Sequence, residues 1–238
     1  MNLFDTHSHV NFNAFKDDGE ETLRRCLDGG VSVVNVGSQY STSKRAVEYA
    51  HKFKSGVYAA VGIHPVHLKK GSFMHHDPSE LEEVEIKTNG EDFDYQKYLA
   101  LAKDEKVVAI GEVGLDYHHF EDSDNVGELI EKQKEVLIEF IKLANKVQKP
   151  IMLHCWDGYD DLYEILSANP VDKKGIVHSF IGSYKTANKF IELGYKIGLN
   201  GIITYGNSYD RLIKEIGLEN IVIETDCPYL TPRPLDKG

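Results

Sequence analysis

Four histidines, a glutamate and an aspartate carry the strongest chemical signal in the sequence. His7 and His9 stand two apart in Asp5-Thr6-His7-Ser8-His9, and side chains two apart on a strand point to the same face. Both imidazoles can therefore reach one cation. Glu112 follows the apolar run Val107–Ile110, His154 follows Ile151–Leu153, His178 follows Ile176–Val177, and Asp226 comes shortly after Ile221–Ile223. If each run is a strand, all six groups stand at strand C-terminal ends. One such histidine alone is most often a hydrogen-bonded structural residue, but six at equivalent positions form a pattern. Four imidazoles with two carboxylates suit Zn, Mn, Co, Ni or Fe(II) better than an oxygen-only cage would, with Mg also open. Six ligands exceed what one open catalytic ion needs. Two divalent ions about 3.5–4 Å apart, bridged by Glu112, would use the set fully. The expected chemistry is hydrolysis by a metal-bound hydroxide, with Asp226 orienting the water and accepting its proton.

Groups so far apart in sequence need a fold that gathers strand ends. Eight short apolar runs supply the strands: Leu3–Phe4, Val31–Val36, Val57–Val61, Val107–Ile110, Ile151–Leu153, Ile176–Val177, Tyr195–Leu199 and Ile221–Ile223. Amphipathic stretches lie between them, clearest from Leu129 to Val147, with shorter ones at Glu20–Leu27, Ser43–Phe53, Tyr95–Ala102, Tyr159–Ser167, Thr186–Leu193 and Ser208–Ile216. Glycines at 29–30, 56, 175, 194 and 217 follow these stretches, where a left-handed helix cap favours glycine. Strict alternation predicts an α/β fold, a TIM (β/α)8 barrel in one domain over 1–238, whose strand ends converge on one mouth. Residues 66–92 break the rhythm and predict an inserted rim loop or lid. Too little sequence follows Asp226 for an eighth helix, so either the chain is clipped or the barrel lacks its final closing helix and leaves that flank open.

Other residues at the predicted mouth are weaker candidates. His64, in Gly62-Ile63-His64-Pro65, follows the third strand and is expected to donate a hydrogen bond or charge to substrate. His118 and His119 read as loop surface, and His51, His67, His75 and His76 receive no role. Cys155 and Cys227 directly follow proposed ligands and so face the other way, as small buried packing residues. Trp156 either stacks on a base or ring of the substrate or plugs a gap between loops.

Composition limits the partners. At 41% hydrophobic and 27% charged residues, the chain can build a substantial core. It has neither an apolar segment long enough to span a bilayer nor a leader-like N-terminus. Three widely spaced cysteines, Cys26, Cys155 and Cys227, suit thiols in a reducing compartment, so a cytoplasmic enzyme with no membrane and no obligate protein partner is expected. The net charge of −11 is not that of a nucleic-acid binder with a basic surface, so a phosphate substrate would rely on local cations such as the metals.

These stretches together resemble the TatD family of metal-dependent deoxyribonucleases, within the amidohydrolase-type barrels. The matching segments are Phe4–His9, Gly62–Pro65, Ala109–Tyr117, His154, His178-Ser179-Phe180 with Gly182-Ser183, and Glu224–Pro232. The resemblance implies that His7, His9, Glu112, His154, His178 and Asp226 ligate metal. It also implies hydrolysis of phosphodiester bonds in DNA, exonuclease-type, with a single-stranded or frayed substrate. Family members also include repair endonucleases and D-aminoacyl-tRNA deacylases, so a metal-dependent acyl or amide hydrolase is the alternative within enzymes, and a non-catalytic metal-binding barrel the alternative outside them. Two features depart from the family. Trp156 stands where an arginine is usual, and the tail Leu235-Asp236-Lys237-Gly238 replaces an Arg-Gly-Lys-like segment. Both remove cationic partners for a phosphate.

Overall fold

The eight apolar runs become one sheet of parallel strands. The structure is a computed structural model that describes residues 3–75, 84–206 and 209–233. In chain order the elements are β1 (Leu3–Ser8), α1 (Gly19–Asp28), β2 (Val31–Val36), α2 (Tyr40–His51), β3 (Val57–Val61), β4 (Lys70–His75), β5 (Val84–Asn89), α3 (Tyr95–Ala102), β6 (Val107–Asp116), α4 (Val126–Val147), β7 (Ile151–Trp156), α5 (Tyr159–Ala168), β8 (Gly175–Val177), α6 (Tyr184–Glu192), β9 (Lys196–Leu199), α7 (Tyr209–Ile216) and β10 (Ile221–Ile223). The strand order is β1-β2-β3-β6-β7-β8-β9-β10, the order of a TIM barrel. No α-helix follows Ile223 up to Arg233, and residues 234–238 lie outside the described ones.

The sheet curls until its ends meet. Past β10 the Asp226 N–H donates to the His7 carbonyl at 2.9 Å, and the His9 N–H donates to the Cys227 carbonyl at 2.9 Å. The seam of the barrel thus runs through the same residues that the sequence marks as ligands, which fixes His7, His9 and Asp226 side by side.

Both faces of the strands are buried, as a parallel sheet requires. Val33, Val57, Ala59 and Val61 face the helices in the main core with Leu137, Phe140 and Ile141 of α4. Val34, Val36, Ala60, Ala109 and Met152 form a second, smaller cluster, the filling of the barrel. Helix starts are fixed locally: the Asp94 carboxylate accepts from the N–H groups of Gln96 and Lys97 at the head of α3, and the Ser183 hydroxyl accepts from Thr186 N–H at the head of α6.

Three expectations need correction. β6 does not stop at Ile110; its ladder with β7 is irregular between Ile110 and Val113 and then resumes to Asp116, so Glu112 lies inside a strand. Gly175 opens β8 and closes no helix, whereas Gly30, Gly56, Gly194 and Gly217 do take positive φ. Residues 66–92 are more than a loop: a 3-10 turn at Pro65–Leu68 leads into an antiparallel hairpin of β4 and β5. His76 and the side chain of His75 lie outside the described residues. No described helix is long and apolar enough to cross a membrane.

Candidate metal centre

All six predicted groups meet at the mouth. His7 and His178 stack with ring centroids 3.5 Å apart, and His7 Nε2 lies 3.3 Å from His9 Nε2. Glu112 sits between two sets of atoms. Its Oε2 is 3.5 Å from His7 Nε2 and 3.8 Å from His9 Nε2, and Asp226 Oδ1 completes that set at 3.9 and 3.3 Å from the same nitrogens. Its Oε1 is 3.0 Å from His154 Nδ1, 3.6 Å from His178 Nε2 and 3.6 Å from His64 Nε2. The glycine at 62 permits this closeness, since a Cβ there would come within 2.6 Å of the Glu112 carbonyl oxygen.

Two imidazoles are hydrogen-bonded at the nitrogen turned away from Glu112, and a third lies beside a carboxylate there. His9 Nδ1–H donates to the Val36 carbonyl at 2.9 Å, His154 Nε2 lies 3.1 Å from Asp116 Oδ2, and His178 Nδ1 lies 3.0 Å from Glu224 Oε1. An outer partner of this kind fixes ring orientation and tautomer in metal sites. The inner nitrogens are left to face Glu112 and Asp226. The buried Nδ1 atoms of His7 and His178 make no hydrogen bond among the described residues, although His178 has Glu224 Oε1 beside it at 3.0 Å. Four imidazoles and two carboxylates, with inner atoms converging and mostly too far apart to hydrogen-bond, fit divalent cations.

Charges confirm how tightly the groups are coupled. Burial raises Glu112, but His64, His178, His7 and His154 outweigh it and hold the carboxyl well below the usual range. Burial also lowers His154, yet the hydrogen bonds and charges of Asp116 and Glu112 bring it up to about 9. His178 is likewise lowered by burial and carried to about 10 by Glu224, Asp226 and Glu112. His64 differs: burial and the neighbouring His154 push it well below the ordinary imidazole value, so it is neutral. Its Nδ1 accepts from Val66 N–H at 3.3 Å, which leaves Nε2–H as a donor aimed into the cluster.

Sequence reasoning missed three buried carboxylates. Asp116 accepts from His154 and from His119 Nδ1 through Oδ2, and from the backbone N–H groups of His118 and His119 through Oδ1. Glu224 accepts from Ser179 N–H at 2.6 Å beside His178. Asp5 accepts from His7 N–H, Thr225 N–H and the Thr225 hydroxyl, bracing the seam. The triples His64–Asp116–His154 and His7–His178–Glu224 also come within 4.8 Å, but both carboxylates are already engaged in holding other groups. Glu224 directly follows the last apolar run, Ile221–Ile223, and that place at a strand end is the signal that could have found it.

His118 is exposed as expected, but His119 is not loop surface. Its ring is largely buried, 2.8 Å from Asp116 Oδ2 and stacked on Trp156. Cys155 is buried, whereas Cys227 is only partly so. Among non-glycine residues, Asp157, Ser179 and Asp226 adopt left-handed backbone just beyond β7, β8 and β10. Such conformations cost about 1–3 kcal/mol each and gather at functional sites.

A parallel barrel with this cluster at the C-terminal ends of its strands defines the class: a metal-dependent hydrolase barrel. Residues 4–237 match the family profile described as TatD related DNase. YabD of Bacillus subtilis strain 168, an uncharacterized metal-dependent hydrolase, is 35% identical over 236 residues, covering 98% of this chain and 82% of its own. YjjV of Escherichia coli K12, described in the same terms, is 33% identical over 229 residues, covering 95% and 79%. The crystal structure of YjjV, a TatD homologue, superposes with a TM-score of 0.77 over 98% of this chain and 82% of that one, at 31% identity. The chain belongs to the TatD family of metal-dependent hydrolases.

Proposed function

We propose that this chain hydrolyses phosphodiester bonds of DNA, preferring single-stranded or frayed ends, with His7, His9, Glu112, His154, His178 and Asp226 holding two divalent ions. The observation that carries the reading is the division of Glu112, whose Oε2 faces His7 and His9 while Oε1 faces His154 and His178. A carboxylate so placed suits a bridge between two ions. The family profile's own description as a DNase supports the choice of substrate. When bound, such ions acidify water and polarise the P–O bond.

The chain's residues divide the remaining work. Asp226 is the more exposed carboxylate of the six, at 13% against 4% for Glu112, and accepts the proton of the attacking water. His64 donates Nε2–H to a substrate oxygen. The closed seam at His7, His9 and Asp226 keeps this geometry rigid, so little reorganisation is needed during reaction.

A carbonyl substrate is the second reading. Among the described residues no lysine or arginine forms an ion pair with any of the six groups, which favours an uncharged carbonyl over a phosphate. A substrate panel tests both: metal-loaded enzyme should cut a 3′-labelled single-stranded oligonucleotide, and chelator or His154→Ala should abolish the cutting. Turnover of esters or D-aminoacyl-tRNA with intact oligonucleotide would overturn the nuclease reading.

A further inference from the structure

Trp156 is the chain's sole tryptophan and ends β7 two residues beyond His154, opposite Asp116 of β6. Its neighbour Cys155 is buried, but the indole remains partly exposed. The ring is within 24° of parallel to His119 at 5.3 Å and within 21° of parallel to His154 at 6.1 Å, with His118 edge-on at 5.1 Å. Those histidines are themselves held, His119 and His154 by Asp116 and His118 by Asp157 at 3.1 Å. The indole is therefore a fixed surface on the rim, one strand position-pair from the cluster.

We infer that Trp156 is the stacking platform for an unpaired nucleobase whose phosphate lies at the six-residue cluster. The subsite rests on the phosphodiesterase reading above and deepens it. A ring that only plugged a gap would have no accessible surface, and Trp156 keeps some. A net charge of −11 offers a nucleic acid no general attraction. Stacking supplies affinity that does not depend on charge and tolerates every base, because each presents a π-face. A paired base inside a duplex has both faces covered by its neighbours, so the platform selects single strands and frayed ends. One stacked base is worth about 5- to 150-fold in affinity.

Because Trp156 is the only tryptophan, fluorescence excited at the long-wavelength edge, where tyrosine does not absorb, reads this ring alone. The test uses metal-loaded full-length protein, with dAMP and 2-deoxyribose 5-phosphate as probes. dAMP should quench the emission and deoxyribose phosphate should not. By equilibrium dialysis, Trp156→Ala should lose about 5- to 150-fold in dAMP affinity with none lost for deoxyribose phosphate, and Trp156→Phe should recover most of it. The platform is overturned if dAMP binds without quenching, if Trp156→Ala binds dAMP as the parent does, or if it loses both probes equally. The last result would mean that the indole merely supports His154. Oligonucleotide cleavage with unchanged KM in Trp156→Ala would remove the platform and leave the nuclease reading standing. Failure of the parent protein to bind either probe or cut any oligonucleotide would remove both.

Discussion

Asp116→Asn isolates the outer support of the centre from the centre itself. The aspartate is buried, and its Oδ2 receives two ring N–H groups, from His154 at 3.1 Å and His119 at 2.8 Å, while Oδ1 receives two backbone N–H groups at 3.0 Å. Asparagine keeps the volume and one acceptor oxygen, so the backbone bonds can survive. The other position becomes an amide NH2 facing two N–H donors. His154 can relieve that clash only by moving its proton to Nδ1, the nitrogen 3.0 Å from Glu112 Oε1, and thereby losing the lone pair that would reach an ion. Loss of such an outer partner costs about 10- to 100-fold in metal affinity, or about 1.4–2.8 kcal/mol. Competition with a fluorescent chelator would measure this, alongside activity at rising metal concentration. The variant should bind one ion more weakly, and excess metal should restore much of its activity. Wild-type affinity for every ion, or an activity loss that saturating metal does not mend, would refute the argument that Asp116 acts by orienting His154.

Other expectations follow from the same contacts. Gly198→Ala would put a Cβ 2.7 Å from Glu224 Oε2, so it should displace the carboxylate beside His178 and cost about 1–3 kcal/mol by overpacking, with weaker metal retention; unchanged unfolding and metal content would show that the site has slack. Without ions, His154 at about 9 and His178 at about 10 lie above the ordinary imidazole value of about 6.5 and hold their protons at neutral pH. Since ions need neutral imidazoles, binding at pH 7.5 should release protons and affinity should rise until about pH 9–10, readable by calorimetry in buffers of different ionisation enthalpy; buffer-independent heats would contradict this. Phe140→Ala empties a fully buried site edge-on to Phe93 and Tyr98, and should cost about 3–5 kcal/mol in denaturant while leaving metal content intact.

The sequence revealed more of the site than of its supports. Strand ends were readable because short β-branched runs alternate with amphipathic stretches, and in a parallel barrel strand ends share one mouth. That logic predicts from position alone that His7, His9, His154, His178 and Asp226 lie together, as they do. Glu112 was found despite a wrong boundary: Gly111 and Gly114 interrupt the apolar pattern, and only the resumed ladder with β7 shows the strand continuing to Asp116. Asp116 and Glu224 were passed over because a buried carboxylate beside a histidine leaves no local mark in sequence beyond its charge, which reads as surface. The β4–β5 hairpin was hidden by its polar composition, and the role of His119 by its place in an apparent loop. The closing of β1 against the segment beyond β10 depends on backbone bonds 219 positions apart, His7 to Asp226, which no local pattern encodes.

The sharing of Glu112 between two ligand sets is the point on which the rest turns. Elemental analysis of purified protein and of Glu112→Gln tests it directly. The parent chain should hold about two divalent ions, and the variant at most about one, with hydrolysis lost. A parent that binds a single ion, or a variant that keeps the full complement and its turnover, would contradict the account.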